Sequence, residues 1–191
     1  MGIRIMSGVR NIGGLIGSGW TTAAIFGLVL GCSSLFGSVV VQLDLEGLVA
    51  RADTIVQGRT EAVYSQWDSD RRVIYTYISI GVDEILKGES RRSLLVKQLG
   101  GTVGSLVMTV SGMPGFDVGA GVIVFLEDSG NGTLQIVGLN QGKYVVVEDS
   151  AISNISGVDL LNPKTGLLSG ASVVNRVPLE EFKDKIRELV R

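Results

Sequence analysis

The sequence predicts a mainly β fold: a small antiparallel β-barrel with a short N-terminal helix and a C-terminal helix, preceded by an apolar export or anchor segment. Three observations carry that reading. From Asn11 to Leu43 the chain runs 33 residues without a charge, behind only Arg4 and Arg10. From Thr54 to Val82, two stretches rich in β-branched and aromatic residues flank a tight polar turn, the pattern of a long hairpin. At Gly121–Leu126 a continuous apolar run of strand length, GVIVFL, implies burial on both faces.

Residues 1–38 have the parts of an export signal. A short basic start (Arg4, Arg10) leads into an apolar stretch densest at Ala23–Leu30, followed by the small residues of Gly31-Cys32-Ser33-Ser34. Three fates compete. Leu28-Val29-Leu30-Gly31 before Cys32 is similar to a bacterial lipobox, which would make Cys32 a lipidation site. Ordinary signal-peptidase cleavage needs small residues one and three places before the cut, and Gly31 with Ser33 would allow one after Ser33. Without cleavage, Ile25–Val41 and a few flanking residues reach the ~20 apolar residues of a membrane span, diluted by seven glycines between Gly13 and Gly37. Arginines before the run favour an N-terminus that stays inside. Each fate puts residues 39–191, read as a single β-barrel domain, in the periplasm or cell envelope or outside the cell. Membrane contact would run through residues 12–41 if uncleaved, or through a lipid on Cys32.

The elements follow in order. Leu43–Ala52 sets Leu45, Leu48 and Val49 at helical spacing and predicts the short helix. Thr54–Trp67 reads as a strand, and Asp68-Ser69-Asp70-Arg71 as a turn whose short polar side chains bond their own backbone. Val73–Val82 is the returning strand, with Ile74, Thr76, Ile78, Ile80 and Val82 on one face and Val73, Tyr75, Tyr77 and Ser79 on the other. Tyr64, Trp67, Tyr75 and Tyr77 read as cross-strand packing pairs. Ser93–Leu99 predicts a third strand, and Gly100–Gly121 is glycine-rich around Leu106–Val110. After the run at 121–126 come a turn at Asp128–Gly132, a strand at Thr133–Val137 and another at Lys143–Glu148. Asp149–Ser172 is polar and turn-rich without a clear period. Pro178 then opens a helix, with Glu180 and Glu181 in its first turn. Leu179, Phe182, Ile186 and Leu189 form an apolar stripe that packs on the barrel.

Composition narrows the function. Without Arg4 and Arg10, 15 of the 17 basic residues face 19 acidic ones, a formal charge of −4, and no basic run exceeds two residues. A nucleic-acid binder needs a basic stripe, so no nucleic-acid partner is expected. With one cysteine, a domain outside the cell has no disulfide and must hold together by its apolar core. The lack of histidine removes the commonest general base and imidazole ligand. Asp68-Ser69-Asp70 lacks the glycine and glutamate of a calcium loop, and Gly100-Gly101-Thr102-Val103-Gly104 lacks the lysine of a phosphate cradle. No cofactor, metal site or catalytic residue is therefore expected. A Ser-dependent hydrolase using a Ser–Lys pair is a distant alternative that no spacing singles out.

Ala52-Asp53-Thr54-Ile55-Val56-Gln57-Gly58-Arg59, a long hairpin, and Val82-Asp83-Glu84-Ile85-Leu86-Lys87-Gly88 before a further strand resemble the opening of exported OB-fold-like domains. The netrin-like module of tissue inhibitors of metalloproteinases is a distant case of that likeness. From about Leu45 to Arg191 the chain resembles a group of uncharacterised bacterial exported proteins, in which Gly112-Met113-Pro114-Gly115-Phe116, Phe125-Leu126 and Gly138-Leu139-Asn140-Gln141-Gly142-Lys143 correspond to recurring pieces. The resemblance implies an OB-like barrel and carries no activity with it. Netrin-like inhibitors use a disulfide-held N-terminal cysteine, which a chain whose only cysteine is Cys32 does not have.

OB-like barrels bind through the face of their central strands and through connecting loops. That points to Met113, Pro114 and Phe116 in the glycine-rich segment, and to Gln141 and Lys143 in the following turn, as ligand- or partner-binding candidates. The competing reading lets Met113 and Phe116 plug the barrel end while Pro114 sets a turn. The expected function is that of an exported or membrane-attached non-catalytic domain binding a protein or glycan. The alternative is a structural or accessory envelope lipoprotein.

Overall fold

The computed structural model describes residues 38–191 apart from Asn131 and Ala171. Cys32 and the apolar segment up to residue 37 lie outside the described residues. In chain order the elements are β1 (Ser38–Val41), α1 (Leu45–Arg51), β2 (Thr54–Trp67), β3 (Ile74–Lys87), β4 (Ser93–Leu99), β5 (Gly101–Val103), β6 (Leu106–Met108), β7 (Gly121–Asp128) and β8 (Leu134–Ile136). A 3-10 turn (Leu139–Gly142) leads to β9 (Lys143–Val147), β10 (Ser150–Ile155), β11 (Val158–Leu161), β12 (Leu168–Ser169), β13 (Val173–Pro178) and α2 (Leu179–Val190). No helix of the described residues is long and apolar enough to cross a membrane.

Five strands close a barrel in the order β2-β3-β4-β8-β7 and back to β2. The expected OB-like barrel is therefore present, with one difference. Its pairs are antiparallel except β4–β8, which run parallel and meet at Val96 and Leu134. The interior is filled by Ile78, Ile80, Val96, Val122, Val124 and Leu126, among others. β7 explains its own sequence. With side chains alternating between faces, Val122, Val124 and Leu126 enter the barrel while Ile123 and Phe125 enter a second core beneath both helices. Both faces of this strand are thus buried, as its unbroken apolar run implies.

The β2–β3 hairpin closes on Asp68, whose Oδ1 accepts from the backbone N–H groups of Arg72 (2.7 Å) and Val73 (3.1 Å). Tyr64 and Tyr77 face each other across the pair and stack at 5.3 Å. β3 runs on to Lys87, beyond the expected end at Val82. The register with β2 skips Asp83 and Leu86 on β3, and Glu61 on β2. Each bulge bends the strand and shifts which face the next side chain takes, which is why the alternation stops at Val82 although the strand does not.

Outside the barrel the sheet continues from β7 through β9 and β10 to β13. One edge of β7 pairs with β2. The other is divided, β9 taking Gly121–Val124 and β8 taking Leu126–Asp128. The segment Asp149–Ser172, read from sequence as aperiodic, holds β10, β11 and β12. Its inward residues on β10 are Ala151, Ser153 and Ile155, so small and polar side chains hide the alternation. The last residues of the uncharged run are also taken into the fold: Ser38–Val41 pair in parallel with Val158–Leu161, as the β-branched Val39-Val40-Val41 favours.

Asp44 caps α1 by accepting from the Gly47 N–H at 2.9 Å, a contact worth about 1 kcal/mol. α2 starts after Pro178 and buries Phe182 and Ile186, whereas Leu189 at the end of the expected stripe stays 40 % exposed. Phe182 meets Tyr144 at 4.4 Å and Phe125 at 6.3 Å between ring centroids. Burying each such side chain contributes about 1.5–3 kcal/mol, enough to dock a helix of this length.

Candidate functional site

The glycine-rich segment between β6 and β7 is anchored at almost every step. Gly112, with φ +79, turns the chain and offers its carbonyl to the Asn140 N–H at 3.0 Å. A Cβ there would stand 2.4 Å from Val158 Cγ1. The Pro114 carbonyl accepts from Gln98 Nε2 at 3.1 Å, and the Gly115 carbonyl accepts from Lys143 Nζ. The Gly119 N–H donates to the Thr60 carbonyl at 2.7 Å. Phe116 packs against the barrel core and Pro114 is buried; of the two residues read as a plug for the barrel end, Phe116 touches that core, while Met113 lines the cleft described next.

Beside that segment lies an open cleft of about 250 Å³. Met113, Pro114 and Gly115 line it from the loop, Asn140 from the 3-10 turn, Lys143 and Val145 from β9, and Ile152 and Asn154 from β10, with Ser156 just beyond. The Lys143 ammonium stands 4.6 Å from the centroid of the Phe116 ring, a cation–π contact. Burial pushes the Lys143 amine below the ordinary lysine range, and the carboxylate of Asp117 offsets part of that. Asn140 is 5 % exposed and its Nδ2 donates to the Ser156 carbonyl at 2.7 Å. Because that carbonyl can only accept, the amide orientation is fixed. Its Oδ1 then has no hydrogen-bond partner among the described residues.

Of the residues expected to bind, the structure brings Met113, Pro114 and Lys143 together at the cleft and sets Phe116 against Lys143. Gln141 has a different place. It is 1 % exposed and does not line the cleft. Its Oε1 accepts from the Leu43 N–H at 2.8 Å, and its Nε2 donates to the carbonyls of Val41 (3.1 Å) and Gly138 (3.2 Å). This clamp joins the β1–α1 connection to the 3-10 turn. Gly138 and Leu139 there both have left-handed backbones, φ +64 and +61, which costs a residue such as leucine about 1–2 kcal/mol. The hydrogen bonds of Gln141 offset that strain and fix the direction in which β9 leaves.

Sequence reasoning missed Ile152, Asn154 and Ser156, all within the segment that looked aperiodic. The signal was the small-residue alternation of Ala151, Ser153 and Ile155, which leaves the residues between them facing the cleft. Among the described residues no group of three or more His, Cys, Asp or Glu side chains is arranged to hold a metal ion. The chain matches no protein-family model, no curated protein and no solved structure.

Proposed function

We propose that this protein is an exported, non-catalytic binding module that takes a glycan at the cleft between the 113–115 segment and strands β9 and β10. One observation carries the reading: the half-buried Lys143 ammonium sits between a carbonyl and an aromatic ring, beside Asn154 and Ser156. A half-buried cation with amide and hydroxyl neighbours suits a ligand rich in hydroxyls that also bears a carboxylate, because each contact is directional and the charge is only partly screened. At about 250 Å³ the cleft is below the roughly 300–1,000 Å³ of pockets that enclose a whole small molecule. It fits one end of a chain, such as a single acidic sugar residue.

The test is binding of the full chain, in detergent, to an array of neutral and uronic-acid oligosaccharides. Asn154→Ala should weaken capture at least tenfold with the melting temperature held, and Lys143→Met should do so at a temperature where both it and the wild type remain folded. Equal capture by both variants, or no capture of any acidic sugar by the unaltered protein, would remove the cleft as a glycan site.

A second reading, an accessory envelope protein held at a membrane, is favoured by a different observation. Val39, Val41, Leu167 and Leu168 are exposed beside the point where the uncharged run enters the fold.

A further inference from the structure

β1, β11 and β12 form a three-stranded sheet separate from the barrel. Its pairing puts Val41, Leu161 and Leu168 in one row and Val40, Leu160 and Ser169 in the next. Paired residues share a face, and successive residues of a strand alternate between faces. Val40 and Leu160 belong to the inner face, packed with Ile155, Val158 and Leu139. Val39, Val41 and Leu168 therefore share the outer face, where they are 55 %, 48 % and 58 % exposed. Leu167, in the adjoining turn, is 69 % exposed. The one acid in these rows, Asp159, is turned over Gly170, where an added Cβ would stand 2.7 Å from its Oδ1. Lys164 is exposed in the turn between β11 and β12.

We propose that this outer face rests on a lipid bilayer, the same one that the N-terminal segment enters. The inference rests on the anchored reading of that segment, as a lipid on Cys32 or as a span that ends before β1 rather than at Val41, because Ser38–Val41 pair with β11. Two features single out a bilayer. The uncharged run extends from Asn11 to Leu43 and thus continues into β1 with no charged residue between. From Cys32 to Val39 the chain can extend at most about 25 Å, whereas a domain of this length, with a radius of gyration of about 15 Å, is roughly 40 Å across. A tether shorter than the domain keeps the side opposite β1 away from the bilayer. The face that carries β1 is then held nearest the membrane; it exposes Val39, Val41 and Leu168, with Leu167 and Lys164 in the adjoining turn and Asp159 as its one carboxylate, a set that suits the boundary between acyl chains and headgroups.

The experiment uses the full chain reconstituted in vesicles of phosphatidylethanolamine and phosphatidylglycerol. A photo-crosslinking amino acid replaces Leu168 in one variant and Leu95 in another. Leu95 is 49 % exposed on β4, a strand with no pairing to this sheet. Illumination should yield phospholipid adducts at position 168 at least tenfold above those at position 95. Protein–protein adducts at 168 would overturn the proposal and identify the face as an interface between copies. Floating vesicles that carry the protein without adducts at 168 would overturn the bilayer contact and leave the anchor standing. Failure of the protein to float with the vesicles would overturn the anchored reading, and the bilayer contact with it.

Discussion

Lys183 on α2 and Glu84 on β3 meet at 3.0 Å, although 99 residues separate them in sequence. The lysine stem is buried, with the side chain 8 % exposed, and its ammonium also reaches Glu180 at 2.7 Å. Arg187 adds a second cation to Glu84. This cluster fixes the rotation of the closing helix about its own axis, which the apolar contacts of Phe182 and Ile186 leave less defined.

The cluster makes stability pH-dependent. Burial alone would raise the Glu84 carboxyl, but hydrogen bonds from Arg187 and Lys183 outweigh it and hold the group below the usual range. A carboxyl depressed in the folded state contributes stability above its unfolded pKa near 4.3 and loses it as the pH falls through the lower folded value. Glu84→Gln should therefore cost roughly 1–2 kcal/mol at pH 7. Thermal melts from pH 7 down to pH 2.5 should show the wild-type advantage disappearing at the acid end. An advantage that survives there would mean that the ion pairs are not its source.

Gln141 should behave as a structural clamp. Gln141→Leu keeps the volume but strands the Leu43 N–H and the Val41 carbonyl, for a cost of about 2–4 kcal/mol. Amide exchange at Leu43 should accelerate more than exchange in β7. Uniform acceleration across the chain would mean that the clamp has no local role.

Two glycine substitutions should be destabilising for different reasons. A Cβ on Gly58 would lie 2.2 Å from the Gly81 carbonyl oxygen across the hairpin, so Gly58→Ala forces β2 and β3 apart at about 1–3 kcal/mol. Gly104 has open space around it but φ +60, so Gly104→Ala carries only the left-handed penalty of about 1 kcal/mol. Chemical denaturation of the two variants should rank them in that order.

Lys143 should leave an alkaline signature. With its folded pKa depressed by burial, the unfolded chain binds more protons between that value and about 10.4. Stability relative to Lys143→Met should then rise with pH across that window. Melts between pH 7 and pH 10.5 should show the gap moving in favour of the wild type. Sugar capture through the ammonium should fall over the same range.

Much of this fold was legible in the residues. The β2–β3 hairpin, the doubly buried β7 and the amphipathic α2 follow from side-chain periodicity, because each element meets one dominant neighbour. Tyr64 and Tyr77 were legible as a packing pair for the same reason. What stayed hidden depends on contacts between distant segments. β10 buries Ala151 and Ser153, which hydropathy does not mark as core. The bulges that let β3 run on to Lys87 erase the alternation that would have extended the strand. At the candidate site, Lys143 and Met113 stood out as a cation and an apolar residue among glycines. Asn154 and Ser156 join them only because β10 pairs with β9. Gln141 looked like a surface amide, since its partners lie about 100 residues upstream.

The divided edge of β7 makes one strand the template for two others. β2, β3 and β4 can form a three-stranded meander from local turns alone, but β8 and β9 both use β7 as template, β10 in turn builds on β9, and β13 on β10. A chain ending before Gly121 would have an open sheet with nothing to close it. One ending just after Ile136 would contain every strand of the ring yet lack β9 and α2, leaving Phe125 without Tyr144 and Phe182. Eight residues, Gly121–Asp128, turn a ribbon into a vessel and open a landing strip for the rest.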